Sequence, residues 1–181
     1  MATGATVHNF DIQLSNVDRN VYETLAVRIA RHPSETEEYL LTRLLAYCLE
    51  YADGIAFSPG LADPGEPAIS VRDLTGALRV WIDIGAPDAA RLHRASKAAP
   101  RVAVYTHRDP AHLVRQLSGE RIHNAAAIEL YGVDRPLLAA LAPRLERRME
   151  FALSVTDDHM YLEIGATTLV GMLTRWPLVA A

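Results

Sequence analysis

Residues 78–85 read Leu-Arg-Val-Trp-Ile-Asp-Ile-Gly, and they give the clearest strand signal in the chain. Because side chains alternate between the two faces of a strand, one face is wholly apolar, formed by Leu78, Val80, Ile82 and Ile84. The other face carries Arg79, Trp81 and Asp83. A carboxylate near the end of a central strand must be paired, desolvated or bound to a cation. Asp83 is therefore a candidate site residue, with an Arg pair or a helix cap as the structural alternative.

Strands and helices alternate around this segment. Residues 67–72 are predicted to pair with 77–84 as an antiparallel hairpin across the turn Asp73-Leu74-Thr75-Gly76. Helices are predicted at about 88–98 and 109–118, and further strands at 55–58, 101–106 and 125–131. This order predicts a mixed sheet covered by helices on both faces, with parallel pairs among its middle strands.

The two ends of the chain predict further elements. Residues 5–14 alternate as a strand, and Val21, Leu25 and Ile29 at spacing four indicate a helix over 19–31 that ends at His32-Pro33. A capping box of Ser34 and Glu37 predicts a second helix running to about Tyr51. Asp134-Arg135-Pro136 begins a helix that Pro143 interrupts, and 148–175 alternates as two or three antiparallel strands.

Length and composition predict one domain over residues 1–181. The chain has 181 residues, 50% of them hydrophobic and 22% charged, which is an ordinary globular composition. The single cysteine, Cys48, excludes an internal disulfide and lies on an apolar helix stripe, where packing is the expected role. The sequence shows neither a signal peptide nor an apolar run long enough to cross a bilayer, so we expect a cytoplasmic protein without a membrane partner.

Charge is unevenly distributed along the chain. The net charge is −4, yet residues 91–121 carry seven basic and two acidic residues, against six and 13 in residues 1–90. Such a segment could form an anion-facing strip that binds nucleic acid. The alternative is a set of solvated helix faces.

Two acids are candidates for a metal site. If the predicted hairpin forms, Glu66 at the start of its first strand comes near Asp83 at the end of its second. Converging carboxylates could hold Mg²⁺ or Mn²⁺ and activate a bound water. Glu38, in the first turn of the second helix, is a further candidate acid, although the helix dipole alone accounts for acids there.

Other chemistries lack their signatures. No Cys or His pair has zinc spacing, and GxGxxG, GxxxxGK[ST] and GxSxG are all absent from the sequence. Nucleotide-binding and serine-hydrolase functions are therefore disfavoured.

Two blocks of sequence are distinctive together. They are Leu-Ala-Val-Arg-Ile-Ala-Arg-His-Pro-Ser-Glu-Thr-Glu-Glu at 25–38 and Trp-Ile-Asp-Ile-Gly-Ala-Pro-Asp at 81–88. With Val17-Asp18-Arg19, Glu66-Pro67, Arg91 and Arg94, they make the whole chain resemble the bacterial YaeQ family. The resemblance implies an α/β fold: a restriction-endonuclease-like, three-layer α/β/α architecture with a mixed central sheet, the PD-(D/E)xK variant.

The resemblance also implies site residues. Asp83 matches the second acid of the nuclease pattern, but Gly85 stands where its lysine would be. Arg94 matches a basic position of the family, and Lys97 is the local alternative cation. Ala68 replaces a frequent acid and leaves Glu66 as the nearest candidate.

Two functional hypotheses follow. The first is a Mg²⁺- or Mn²⁺-dependent phosphodiesterase in which Glu66 and Asp83 bind the metal, Glu38 assists, and Arg94 or Lys97 neutralises phosphate charge. The second is a non-catalytic module that keeps the fold and binds nucleic acid or a protein partner. The missing lysine favours the second.

Overall fold

The computed structural model describes residues 4–59 and 63–178, which form a mixed α/β structure. Its strands are β1 (Thr6–Asn16), β2 (Val21–Arg31), β3 (Ile55–Phe57), β4 (Ile69–Arg72), β5 (Leu78–Ile84), β6 (Arg101–Thr106), β7 (Glu129–Val133), β8 (Arg148–Thr156), β9 (His159–Ile164) and β10 (Thr167–Trp176). Its helices are α1 (Glu37–Leu49), α2 (Ala89–Ala98), α3 (Pro110–Leu117) and α4 (Arg135–Leu141). Short 3₁₀ turns occupy Ala125–Ala127 and Ala142–Arg144, the latter at the predicted interruption by Pro143.

The chain divides into two compact units. The first unit comprises the residues up to Leu49 together with Val133–Leu173, and the second comprises Glu50–Gly132 together with the residues from Thr174 onward. The prediction of one domain over residues 1–181 stays a prediction.

The first unit contains a mixed sheet of long strands. β1 pairs antiparallel with β2 from Thr6↔Arg31 to Asn16↔Val21, and it pairs parallel with β8. β8, β9 and β10 form an antiparallel meander, which confirms the strands predicted over 148–175. Every second side chain of β1 is buried, among them Phe10, Ile12 and Leu14.

The helix predicted over residues 19–31 is wrong, because this segment is strand β2. A spacing of four residues fits one turn of a helix and also two repeats of a strand. The spacing of Val21, Leu25 and Ile29 therefore could not distinguish a helix from a strand. Val27 does distinguish a strand from a helix. It is buried, as are Leu25 and Ile29, and the residues between these three are exposed, which is the alternation of a strand. The preceding residues form a hairpin turn, in which Asn20 has a φ of 56°.

The second helix begins later than the sequence indicates. α1 starts at Glu37, and the Thr36 hydroxyl accepts a hydrogen bond from the Tyr39 amide at 3.1 Å. The Ser34 hydroxyl instead lies 2.6 Å from Nδ1 of His32. The predicted capping box of Ser34 and Glu37 is therefore wrong, because the turn after β2 engages Ser34 before the helix starts.

The second unit carries the predicted hairpin and parallel strands. β4 pairs antiparallel with β3 and β5, with Ile69 opposite Ile82. β6 pairs parallel with β5 and β7, as predicted for the middle strands. Trp81, Val102 and Val104 share one face of this sheet, where they form a core with Leu92 of α2 and Leu113 of α3.

Helix length bears on membrane insertion. The longest helix, α1, has 13 residues, whereas about 20 apolar residues are needed to cross a bilayer. Within residues 4–59 and 63–178, no helix could span a membrane.

The thiol of Cys48 should react only when the protein unfolds. Cys48 is 1% exposed on the apolar side of α1, and burial raises its pKa to about 12. Because the thiolate is the reactive species, we expect iodoacetamide to modify the native protein at the rate of unfolding. Mass spectrometry with and without guanidinium chloride measures this, and fast alkylation of the native protein would contradict the burial of Cys48.

Candidate functional site

Asp83 lies on a strand that is covered on both faces. β5 is flanked by β4 and β6, and its apolar residues Ile82 and Ile84 are buried on the face opposite Asp83. Asp83 shares the other face with Trp81, and its exposed fraction is 2%. An ionised carboxylate at such a depth needs a charged partner or several hydrogen bonds.

Arg91 supplies that partner from the first turn of α2. The Asp88 side chain caps α2 by accepting a hydrogen bond from the Arg91 amide at 2.7 Å. The Arg91 guanidinium then donates from Nε to Oδ2 of Asp83 and from Nη2 to Oδ1, both at 2.7 Å. Its Cζ lies 5.5 Å from the centre of the Trp81 ring. This bidentate geometry is the strongest form of an arginine–carboxylate pair.

Glu66 reaches the same guanidinium through its main chain. Nη2 of Arg91 donates to the Glu66 carbonyl oxygen at 2.8 Å, so the hairpin brings Glu66 and Asp83 to one cation. The Glu66 carboxylate takes another partner, since Oε2 lies 3.7 Å from Nη2 of Arg72. The two predicted metal ligands are thus each paired with their own arginine.

The other predicted site residues lie on α2 and on α1. Arg94 and Lys97 are exposed on α2, and neither forms an ion pair within the described part of the chain. Glu38 belongs to the first unit, where it is partly buried in the first turn of α1. Its carbonyl oxygen accepts a hydrogen bond from the Thr42 hydroxyl at 2.7 Å. Arg94 and Lys97 are therefore available to a ligand in solution.

The residues as arranged do not fit Mg²⁺ or Mn²⁺. Both oxygens of Asp83 accept hydrogen bonds from Arg91, whose charge is already the cation that this carboxylate requires. Nε1 of Trp81 is buried without a hydrogen-bond partner among the described residues, and an indole N–H is a donor that cannot ligate a metal. No cluster of three or more His, Cys, Asp or Glu side chains in residues 4–59 and 63–178 is arranged to hold a metal ion.

The basic segment 91–121 contains two kinds of cation. Arg91 and Arg101 are committed to salt bridges inside the second unit. The remaining five are exposed and form no ion pair within the described residues: Arg94, Lys97, Arg108, Arg115 and Arg121. They lie on α2, on α3 and in the segments that flank α3. The second unit has ten basic and ten acidic residues, so this excess is local.

A second ionic cluster, which the sequence analysis missed, lies on the opposite face of this sheet. Arg101 at the start of β6 binds Glu50 at 2.6 Å and also pairs with Glu129 at the start of β7. Glu50 is 3% exposed, which makes it one of the most buried charged residues. A charged residue opening each of two neighbouring buried strands was the available signal, because parallel strands bring their starts together.

Two tyrosines complete this cluster. The Tyr105 hydroxyl donates to Glu50 at 2.6 Å, the Tyr131 hydroxyl donates to Glu129 at 2.7 Å, and the rings stack 4.8 Å apart. The pKa of Tyr131 is raised to about 12, mainly by burial and in second place by the hydrogen bond to Glu129. Burial alone would raise the pKa of Glu129, but the hydrogen bonds from Arg101 and Tyr131 lower it below its ordinary value. Glu129 is therefore held as the carboxylate.

The comparisons with known proteins agree over nearly the whole chain. A family model described as "YaeQ protein" matches residues 1–172. The "Uncharacterized protein YaeQ" of Escherichia coli (strain K12) is 30% identical over 178 residues, which covers 97% of this chain and 98% of the relative. The protein of the same name from Salmonella typhi has the same identity and coverage.

Two solved structures are also similar. The YaeQ protein from Xanthomonas axonopodis pv. citri has a TM-score of 0.84 and 28% identity, covering 96% of this chain and 98% of its own. The YaeQ protein from Pseudomonas syringae has a TM-score of 0.83 and 28% identity, with coverages of 94% and 95%. The architecture described above is thus shared with relatives that differ at most positions.

Replacing Arg101 should destabilise the protein strongly. Arg101→Gln leaves the buried carboxylate of Glu50 without its cation, and such losses cost about 2–4 kcal/mol once the partial exposure of Arg101 is considered. We expect a lower urea midpoint with an unchanged slope. Arg79→Gln, at an exposed position on β5, is the control and should change stability by less than about 0.5 kcal/mol. Equal midpoints for the two variants would contradict a role for the cluster in stability.

Proposed function

The chain belongs to the YaeQ family, and we propose that it is a non-catalytic nucleic-acid-binding protein built on a restriction-endonuclease-like fold. The succession of β4, β5, α2 and β6, with an acid near the end of β5, supports relating the second unit to that three-layer α/β/α architecture. Gly85 at the place of the nuclease lysine supports the loss of catalysis. A shared fold does not by itself preserve an activity.

The observation that carries the proposal is the contrast between Asp83 and the surface of α2. The buried carboxylate is neutralised by Arg91, so the predicted metal ligand Asp83 is held in an internal ion pair. Arg94 and Lys97 lie one turn apart on the same helix, exposed and without ion pairs among the described residues. Cations of this kind are free to contact phosphates and to release counterions from a nucleic acid.

The charge pattern favours contacts with the backbone over the reading of bases. Four of the five free cations of this segment are arginines, whose planar guanidinium matches a phosphate with two parallel hydrogen bonds. They are distributed over two helices and their flanking loops. We therefore expect binding that depends on salt more than on sequence.

Charge reversal on α2 should weaken binding uniformly across sequences. We expect the variant with Arg94→Glu and Lys97→Glu to bind oligonucleotides more weakly and to reduce the salt slope by about two. Fluorescence anisotropy at salt concentrations from about 50 to 200 mM measures the slope. Arg79→Glu, a single charge reversal on the same unit outside residues 91–121, is the control. If wild-type protein shows no salt-dependent binding, the proposal fails and a protein partner becomes the better hypothesis.

The metal-dependent phosphodiesterase predicted from the sequence is the second candidate. One observation favours it: the Glu66 carbonyl and the Asp83 carboxylate share a single cation, now the Arg91 guanidinium. A metal would have to displace that guanidinium from both groups.

Thermal melting with millimolar Mn²⁺ distinguishes the two candidates. A metal bound only to the folded state stabilises it, by about 2.7 kcal/mol at a hundredfold excess over Kd. We expect no shift in the melting temperature of wild type, because Arg91 occupies Asp83. A shift that Asp83→Asn abolishes and Asp109→Asn retains would contradict our proposal, since Asp109 caps α3 outside the site.

A further inference from the structure

A small cavity opens in the second unit beside the Arg101 cluster. Its volume is about 240 Å³, and it is lined by Glu129, Leu130, Tyr131, Arg175, Trp176 and Pro177. Pockets for drug-sized ligands occupy about 300–1,000 Å³. This cavity is therefore the size of a single ring system, and two aromatic side chains contribute to its walls.

Hydrogen bonds hold the aromatic walls in place. The Trp176 indole N–H donates to the Thr174 hydroxyl at 2.9 Å, and that hydroxyl donates to the Gly132 carbonyl at 3.3 Å. A Cβ at Gly132 would lie 2.7 Å from Oγ1 of Thr174 and 3.4 Å from Nε1 of Trp176. Tyr131 is fixed by its hydroxyl, which donates to Glu129. The walls are thus preorganised, with Gly132 allowing the close approach.

The cavity offers uncharged walls to a flat ring and the Arg175 guanidinium to an anion at the edge of that ring. Glu129 pairs with Arg101, which also pairs with Glu50, and it accepts a hydrogen bond from the Tyr131 hydroxyl. The Arg175 guanidinium lies 5.4 Å from the Tyr131 ring centre and makes no hydrogen bond or ion pair within residues 4–59 and 63–178. Its N–H groups are therefore available to an oxyanion, while the uncharged walls suit a ring.

The cavity adjoins the helices that carry the basic residues. Leu130 is part of the core beneath α2 and α3, and Trp176 packs against that core. A Cβ at Gly132 would also lie 2.7 Å from Cγ of Pro110, the first residue of α3. Exposed Arg108 precedes Pro110 by two residues. A nucleic acid that contacts Arg108 would therefore pass close to the start of α3, beside the cavity.

We propose that this cavity receives one unstacked nucleobase, which packs against Trp176 while Arg175 contacts the adjoining phosphate. A base inside a duplex is covered on both faces, so the partner is single-stranded nucleic acid. This inference rests on the proposed function and makes it more specific. Stacking on an aromatic side chain does not depend strongly on base identity, because every base offers a flat face.

Removing the indole should weaken single-strand binding selectively. With a labelled single strand of about 12 nucleotides, we expect Trp176→Leu to raise Kd roughly 5- to 100-fold in fluorescence anisotropy. A hairpin duplex of matched charge should bind wild type and variant alike. Tyr161→Leu, which removes an exposed aromatic side chain from β9, is the control. Equal binding of the two probes by wild type, or equal effects of the two variants, would overturn the inference.

Two further measurements test the inference without relying on the folding of Trp176→Leu. Arg175→Gln leaves the indole in place and should weaken single-strand binding several-fold relative to Arg79→Gln. In wild type, the single strand should quench tryptophan fluorescence, and Trp81 cannot account for this because it is 2% exposed. Binding that needs Arg94 and Lys97 but neither Arg175 nor Trp176 overturns only the base pocket. Absence of salt-dependent binding to either probe overturns the proposed function as well.

Discussion

The second unit depends on the ion pair between Asp83 and Arg91. A carboxylate buried at the end of β5 needs a cation, and α2 delivers one from its first turn. The Asp88 cap fixes where α2 begins, and the same guanidinium binds the carbonyl of Glu66 at the start of the hairpin. The Arg91 side chain thus joins three segments. The negative charge of Asp83, which could have held a metal ion, instead pairs with Arg91 and stabilises the fold.

The two faces of the sheet in the second unit differ: one packs an apolar core against helices, and the other carries a buried ionic cluster. On one face, Trp81 and the helices α2 and α3 form the core, and exposed arginines and Lys97 lie on the outer sides of those helices. On the other face, Arg101 binds Glu50 and Glu129, and two stacked tyrosines donate hydrogen bonds to these carboxylates. Both arrangements bury charge only where it is compensated, which is the condition that a low-dielectric interior imposes.

Local pattern predicted much of the second unit and failed at two places in the first, the segment 19–31 and the capping box of Ser34 and Glu37. The hairpin of β4 and β5 and the parallel pairing of β6 follow from alternation and element order. Residues 19–31 were predicted as a helix because a four-residue spacing satisfies both periods, and pairing with β1 along eleven residues makes the segment a strand. The periodicity of one segment does not show this pairing, because the partner strand lies outside the window in which the period is counted.

The sequence alone determined which residues could bear chemistry: a carboxylate at 83 on an apolar strand, the absence of a lysine at 85, and an excess of cations over 91–121. It also determined the order of elements in the second unit. Only the tertiary structure decided the partners of these groups, pairing Asp83 with Arg91, Glu66 with Arg72, and Arg101 with Glu50 across 51 residues. The reason is physical: the availability of a charged side chain depends on its neighbours in space, and the folded chain decides which of several candidate partners, near or far in sequence, reaches it.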